Sequence, residues 1–227
     1  MADVLLILSG CGVLDGSEIH ESVSTLLHLD RHDANVTFAA PDVDQMHVVN
    51  HQTGEPADET RNVRIESARI ARGPVESLRD IRGHRFDAVI LPGGYGAAKN
   101  LSTFATESDN CRVDPEVARV LTEAHAAGKA IGLICISPTI GARLFEGCNL
   151  TIGTDQATAA AIEKMGGRHH ERATEELCVD EDHRIVSTPA YMSAQRIGQV
   201  YEGIGRLVDK VLELASQPAP QAIASGD

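Results

Sequence analysis

The chain has 227 residues, with 33 acidic against 20 basic side chains and a formal net charge of -13. That balance argues against a nucleic-acid backbone or an anionic membrane as partner, since both carry like charge. The length suits one α/β domain with a substantial core. With no tryptophan and 3% aromatic residues, that core is built from Ala, Val, Ile and Leu, as parallel sheets commonly are.

Five cysteines (Cys11, Cys111, Cys135, Cys148, Cys178) without a Cys-x-x-Cys pair argue against a disulfide framework and fit reduced thiols in a cytosol-like compartment. Met1-Ala2-Asp3 runs directly into Val4 to Leu8, with neither the basic stretch nor the apolar length of a signal peptide. No apolar run approaches the ~20 residues of a membrane span. A soluble, cytoplasmic protein is expected.

Val4 to Leu8 reads as a buried strand followed by a glycine loop. A helix then opens after a candidate cap at Ser17, with Ile19, Val23, Leu26 and Leu27 at helical spacing. Val36 to Ala40 is a second strand stopped by Pro41, and Met46 to Val49 a short edge strand. Val63, Ser67 and Ile70 line a helix that Gly73-Pro74 breaks, and Phe86 to Leu91 is a third buried strand ending in Pro92-Gly93-Gly94-Tyr95-Gly96. Asp114-Pro115 is a cap followed by an N1 proline, and Gly128 a C-terminal stop.

The run Ala130 to Ile134 ends abruptly at Cys135, and a helix from Pro138 to Phe145 follows. A strand at Leu150 to Ile152, a helix from Asp155 to Met165 and a hairpin of Leu177 to Val179 with Arg184 to Thr188 come next. The last helix covers Ser193 to Leu214, with Ile197, Val200, Ile204, Leu207, Val208 and Val211 on one face. Alternating strands and helices imply a mostly parallel sheet between helix layers, in one domain over residues 1–215, with 216–227 a disordered tail.

In such a fold ligands bind outside the carboxyl ends of the strands. Three loops there carry chemistry: those after Leu8, after Leu91, and at Cys135. A strand turning straight into a helix exposes Cys135 above the opening amides, which favour the thiolate, as in a nucleophile elbow. The alternative is a small buried hydrophobe at a strand end.

Glu18 is a carboxyl able to sit desolvated and protonated beside Cys135, or else an ordinary acid at a helix N-terminus. Amides near Gly93 and Gly94, with that of Ile136, suit an oxyanion hole or a plain turn. Cys11, His20, Glu21 and Asp155 are site-lining candidates. His169 and His170 qualify as a base only if the fold returns them to Cys135. Gly10-x-Gly12 fails as a dinucleotide fingerprint because its third glycine is one place late. His28 with His32, and His47 with His51, are spaced for one helix face but lack a third ligand, so no metal is expected.

Gly10-Cys11-Gly12-x-x-Asp15-Gly16-x-Glu18-Ile19-His20-Glu21, Leu91-Pro92-Gly93-Gly94, Cys135-Ile136-Ser137-Pro138 and Thr188-Pro189-Ala190-Tyr191-Met192 together resemble the ElbB (enhancing lycopene biosynthesis) family. That family sits in the PfpI-like branch of the class I glutamine amidotransferase-like superfamily. The resemblance implies a flavodoxin-like three-layer α/β sandwich, no cofactor, and a glutathione-independent glyoxalase that converts small dicarbonyls of the 2-oxoaldehyde type to 2-hydroxy acids.

By position it makes Cys135 the nucleophile and Glu18 the carboxyl that contacts it. Where many superfamily members carry a histidine just after the strand that follows the elbow helix, this chain reads Ile152-Gly153-Thr154-Asp155, so a complete Cys-His-Glu triad is not implied, and neither is glutaminase activity, which needs a late His-x-Glu pair. A cysteine redox sensor and an amidase or amidotransferase subunit are the alternatives, and a homodimer is the default assembly.

Overall fold

In the computed structural model, which describes residues 1–218, the first βαβ unit is β1 (Asp3–Ile7), α1 (Ile19–Arg31) and β2 (Asn35–Ala40). It is followed by α2 (Val63–Ala71), β3 (Glu76–Ser77), β4 (Ala88–Leu91), α3 (Tyr95–Lys99) and α4 (Phe104–Glu107). Then come α5 (Pro115–Ala126), β5 (Ala130–Ile134), α6 (Pro138–Leu144), β6 (Asn149–Leu150), α7 (Gln156–Lys164), β7 (Arg168–His169), β8 (Cys178–Asp180), β9 (Ile185–Thr188) and α8 (Ile197–Ser216).

Seven strands form one sheet in the order β3-β2-β1-β4-β5-β9-β8. All pairs are parallel except β8 with β9. Strand order reverses on either side of β1, between β2 and β4, which is where an open parallel sheet leaves a crevice at its carboxyl edge. The fold is the expected mostly parallel α/β sandwich.

Side chains alternate across the sheet. Leu5, Ile7, Val89, Leu91, Ile131 and Leu133 pack with Val117, Val120 and Leu121 of α5 and Ile140 of α6. Val4, Leu6, Ile90, Ile134 and Val186 pack with Leu29 of α1 and Val200, Ile204, Leu207, Val208 and Val211 of α8. Gly132 interrupts β5 on that second face because α8 lies so close: a Cβ there would stand 3.0 Å from Leu207 Cδ2 and 3.1 Å from Val211 Cγ2.

Four expectations are corrected. Residues 46–49 form no strand, because the Met46 amide donates to Asn100 Oδ1 at 2.9 Å and the Val49 amide to Asp15 Oδ2 at 2.7 Å, leaving only an isolated bridge from Val49 to Pro56. The strand expected at 150–152 lies outside the main sheet, where β6 pairs only with β7, since β9 occupies the place beside β5.

The last helix starts at Ile197 rather than Ser193, after a 3-10 turn at Ala190–Met192, and Ile197 is exposed rather than on the core face. The cap of α1 is Glu18, not Ser17, whose Oγ instead accepts the Ser9 amide at 2.8 Å.

At the other end Arg184 donates to the carbonyls of Leu214 and Gln217, closing α8. Ser216, the first residue of the expected tail, is helical, and residues 219–227 of it lie outside the described residues. Among the described residues no helix is long and apolar enough to cross a membrane.

Candidate active site

β5 delivers Cys135 to the carboxyl edge of the sheet, where its amide donates to the Thr188 carbonyl at 3.0 Å and its φ is +64°. A left-handed φ is costly for a residue with a Cβ, of the order of 1–3 kcal/mol, and such conformations concentrate at functional sites. The bend is held from beyond by Ser137, whose Oγ donates to the Pro92 carbonyl at 2.8 Å just before α6. The elbow read from the sequence is therefore present.

The carboxyl beside the sulfur is Glu21. With Glu18 as cap, Glu21 is the third residue of α1 and is fully buried. Its Oε2 accepts the Gly93 amide at 2.9 Å, its Oε1 the Tyr191 amide at 3.3 Å, and the carboxyl packs beside the Cys135 sulfur, both meeting the space a Cβ at residue 93 would take. The amides of Gly94 and Ile136 face the same sulfur and draw its pKa down. Glu18, the residue expected in contact with the sulfur, turns its Oε2 back to accept the Glu21 amide at 2.7 Å and lines the cleft above.

Glycine is required at two points of this arrangement. A Cβ at residue 93 would overlap Cys135 and come within 2.8 Å of Glu21 Oε2. Gly94 has φ +93°, and a Cβ there would lie 2.5 Å from the Glu18 nitrogen. The Pro92-Gly93-Gly94 turn thus presses the second loop against both the elbow and the start of α1.

Burial dominates the electrostatics. Desolvation, with the charge of Glu18 second, pushes Glu21 up to about 8, so that it holds a proton at neutral pH. Burial, followed by the charge of Glu21, pushes the Cys135 thiol well above its usual range, against the opposing pull of the Gly94 and Ile136 amides. The expectation that helix-opening amides ionise the sulfur is corrected accordingly: the resting group is a thiol, 7% exposed, packed beside a protonatable acid.

A cleft of about 660 Å³ opens above Cys135, bounded by Val13, Glu18, Gly94, Tyr95, Lys99, Phe104, Ile136, Asp155, Tyr191 and Met192 among others. Asp155 lines it while capping α7 through the Thr158 amide at 2.8 Å, a bond that holds its carboxyl below the usual range. His20 stands at the exposed rim, where its Nδ1 is 2.7 Å from the Tyr191 hydroxyl and 3.9 Å from Glu18 Oε1.

Two sets of candidates lie elsewhere. Cys11 bridges to Ser17 on the side of Glu66 and Arg69, and burial raises its thiol. His169 and His170 are engaged beside β6, with His169 Nε2 facing the Ile152 amide at 3.4 Å and His170 Nε2 facing Asn149 Oδ1 at 2.8 Å. The late His-x-Glu run they begin with Glu171 is therefore not in the cleft. Tyr191 joins the site without a signal of its own in the sequence beyond the motif Thr188 to Met192 that contains it. Among the described residues no group of three or more His, Cys, Asp or Glu is placed to hold a metal ion.

No protein-family model matches the chain. The rat ES1 protein homolog, mitochondrial, is 47% identical over 226 residues, covering 95% of this chain and 85% of its own length. The human glutamine amidotransferase-like class 1 domain-containing protein 3, mitochondrial, is likewise 47% identical, with 95% and 84% covered. Among solved structures, an isoprenoid biosynthesis protein with amidotransferase-like domain from Ehrlichia chaffeensis superposes with a TM-score of 0.86 at 40% identity, over 93% of this chain and 99% of that one.

The expectation of a cytoplasmic location is overturned by these relatives, which are named as mitochondrial proteins. An elbow cysteine, a buried glutamate and a doubly wound sheet, with identity that extends over nearly the whole chain, place the protein in the ES1 family of the class I glutamine amidotransferase-like superfamily.

Proposed function

We propose that the protein is a cofactor-independent enzyme of the glyoxalase type, with Cys135 as nucleophile and Glu21 as the proton carrier. The observation that carries this reading is a fully buried glutamate packed beside the Cys135 sulfur, held by the Gly93 and Tyr191 amides, whose pKa is raised to about 8. A carboxyl poised near neutrality exchanges protons in both directions at working pH, as acid and base catalysis on one substrate requires.

With glyoxal, the sulfur adds to one aldehyde carbon, and the thiol proton passes through Glu21 to the new oxygen, giving a hemithioacetal. The amides of Gly94 and Ile136, which already face the sulfur, stabilise the charge developing around it. Glu21 in its ionised form then removes the hydrogen on that carbon as a proton while the second carbonyl oxygen takes up a proton, giving an enediol; Glu21 returns its proton to the neighbouring carbon as the first hydroxyl loses its own. The first carbon becomes a thioester and the second an alcohol, with no net oxidation. Water cleaves the thioester, releasing glycolate and the thiol. Tyr191 lines the cleft and its hydroxyl, bonded to the exposed His20, supplies the second carbonyl with a proton donor connected to solvent.

Glycolate formation from glyoxal, followed by NMR, tests this. Native protein yields glycolate and Cys135→Ala does not; equal rates would overturn the reading.

A second reading rests on the same amides. A sulfur that receives two main-chain donors is prepared to hold sulfinate oxygens, so peroxide oxidation of Cys135 would serve as a sensor. Selective oxidation of Cys135 by mild peroxide, seen by mass spectrometry without dicarbonyl turnover, favours it over catalysis. Glutamine hydrolysis has less to support it, because none of the residues lining the cleft is a histidine able to act as base.

A further inference from the structure

The cleft above Cys135 is far larger than a two- or three-carbon dicarbonyl needs. Its volume of about 660 Å³ falls in the range of sites that enclose ligands of drug size, roughly 300–1,000 Å³. Besides Cys135, Gly94 and Ile136, its lining includes Val13, Tyr95, Phe104, Tyr191 and Met192, with Glu18, Lys99 and Asp155 as its charged members.

The distribution of aromatic side chains makes that wall unusual for this protein. Of its four phenylalanines and three tyrosines, with no tryptophan, Phe104, Tyr95 and Tyr191 line this one cleft. Tyr95 is 54% exposed and Val13 38% exposed, in a chain whose core otherwise relies on aliphatic residues. Concave, apolar and aromatic walls with a few convergent polar groups are the usual form of a small-molecule site.

The wall is also fixed in place. The Tyr95 amide donates to the Val13 carbonyl at 2.8 Å, and Lys99 donates to the Leu14 carbonyl at 2.9 Å while its ammonium lies 5.3 Å from the Tyr95 ring centroid. These bonds tie α3 to the first loop, so the aromatic face is formed before any ligand arrives.

We infer that this aromatic wall of the cleft is a subsite for an aromatic body, and that the preferred substrate is an aryl 2-oxoaldehyde whose aldehyde reaches Cys135 while its ring lies against Tyr95 and Phe104. The inference rests on the glyoxalase reading and narrows its substrate class. Binding energy from a non-reacting ring is then available to hold the aldehyde at the sulfur. The bonds made and broken are those given for glyoxal, and phenylglyoxal gives mandelate with the consumption of one water.

The test compares phenylglyoxal with glyoxal by kcat/KM in the native protein, Phe104→Ala and Tyr95→Ser. Burial of several ring carbons makes the native ratio at least about tenfold in favour of phenylglyoxal, by the usual discrimination per apolar group. Each variant moves the ratio toward unity. Two variants are used so that one folding poorly, as judged by its melting curve, leaves the other to decide.

A second arm needs no turnover: mandelate binds Cys135→Ala about tenfold more tightly than glycolate, measured by calorimetry. Glyoxal turned over as well as phenylglyoxal, or a native preference that neither variant alters, overturns the subsite and leaves the glyoxalase reading standing. Failure of both substrates in native protein overturns that reading instead, and equal binding of mandelate and glycolate then overturns the subsite as well.

Discussion

Glu21 and Gly93 are joined by a 2.9 Å hydrogen bond from the glycine amide to the carboxyl, and the same glycine leaves no room for a side chain beside Cys135. The elbow, the second loop and the first helix thus meet at a single point. Gly93→Ala is expected to displace either the sulfur or the carboxyl, at about 1–3 kcal/mol of stability, as overpacked interiors cost. Denaturant melting reads the loss, and the variant also loses dicarbonyl turnover.

Glu21→Gln keeps the shape and an acceptor for the Gly93 amide but carries no titratable proton. On the glyoxalase reading kcat/KM falls by about 10²–10⁴-fold, as removal of a general acid–base does. The charge of Glu21 raises the thiol, so its removal moves the pH profile of Cys135 alkylation by iodoacetamide toward lower pH. An unchanged profile would show that the two groups do not communicate.

The same residue makes stability depend on pH. Its pKa is about 8 in the folded protein against an ordinary glutamate value of 4.5, so between those values the folded state binds the extra proton. The stabilisation is therefore fully present below about 4.5 and is lost as pH rises through about 8, with a slope of up to about 1.4 kcal/mol per pH unit between them. Subtracting the stability of Glu21→Gln from that of native protein across pH 4.5 to 8 isolates this slope, and the difference declines with rising pH.

Tyr191→Phe removes the hydroxyl that meets His20 and leaves the backbone amide on Glu21 untouched. Turnover falls by about 10²-fold if the hydroxyl donates to the second carbonyl, while Cys135 alkylation stays within about twofold of native, because no contact of the sulfur is removed. Parallel loss of both would instead mark a displaced loop.

Arg184→Met removes the charged donor to the carbonyls of Leu214 and Gln217, of which Leu214 keeps the Gln217 amide. Thermal unfolding registers a loss of about 1.5–3 kcal/mol, what hydrogen bonds to a charged group contribute.

Much of this site was legible in the sequence because its signals were local. Ala130 to Ile134 is apolar without a break, and a run that stops at Cys135 before Ser137-Pro138 has to turn there. The choice between Glu18 and Glu21 was not legible, since the two stand three residues apart and share one face of α1. It turns on the cap. With Ser17 as cap, Glu18 enters the first turn; in the structure Ser17 is consumed by the Ser9 amide, the cap moves to Glu18, and Glu21 faces the sulfur.

The cap is decided by a contact between two loops that no helical periodicity records. In the same way β6 reads as a sheet strand by composition, and only the pairing of β9 with β5 denies it the place. α3 and α4, at five and four residues, are too short to leave a periodic trace.

The two donors that face the Cys135 sulfur belong to the main chain at Gly94 and Ile136. A substitution can change what stands beside them but, apart from proline, none can delete an N–H. The polar character of this sulfur's surroundings is therefore inherited with the path of the backbone. Descendants that drift in every wall of the cleft, and so exchange one substrate for another, retain the same chemical grip on the atom that reacts.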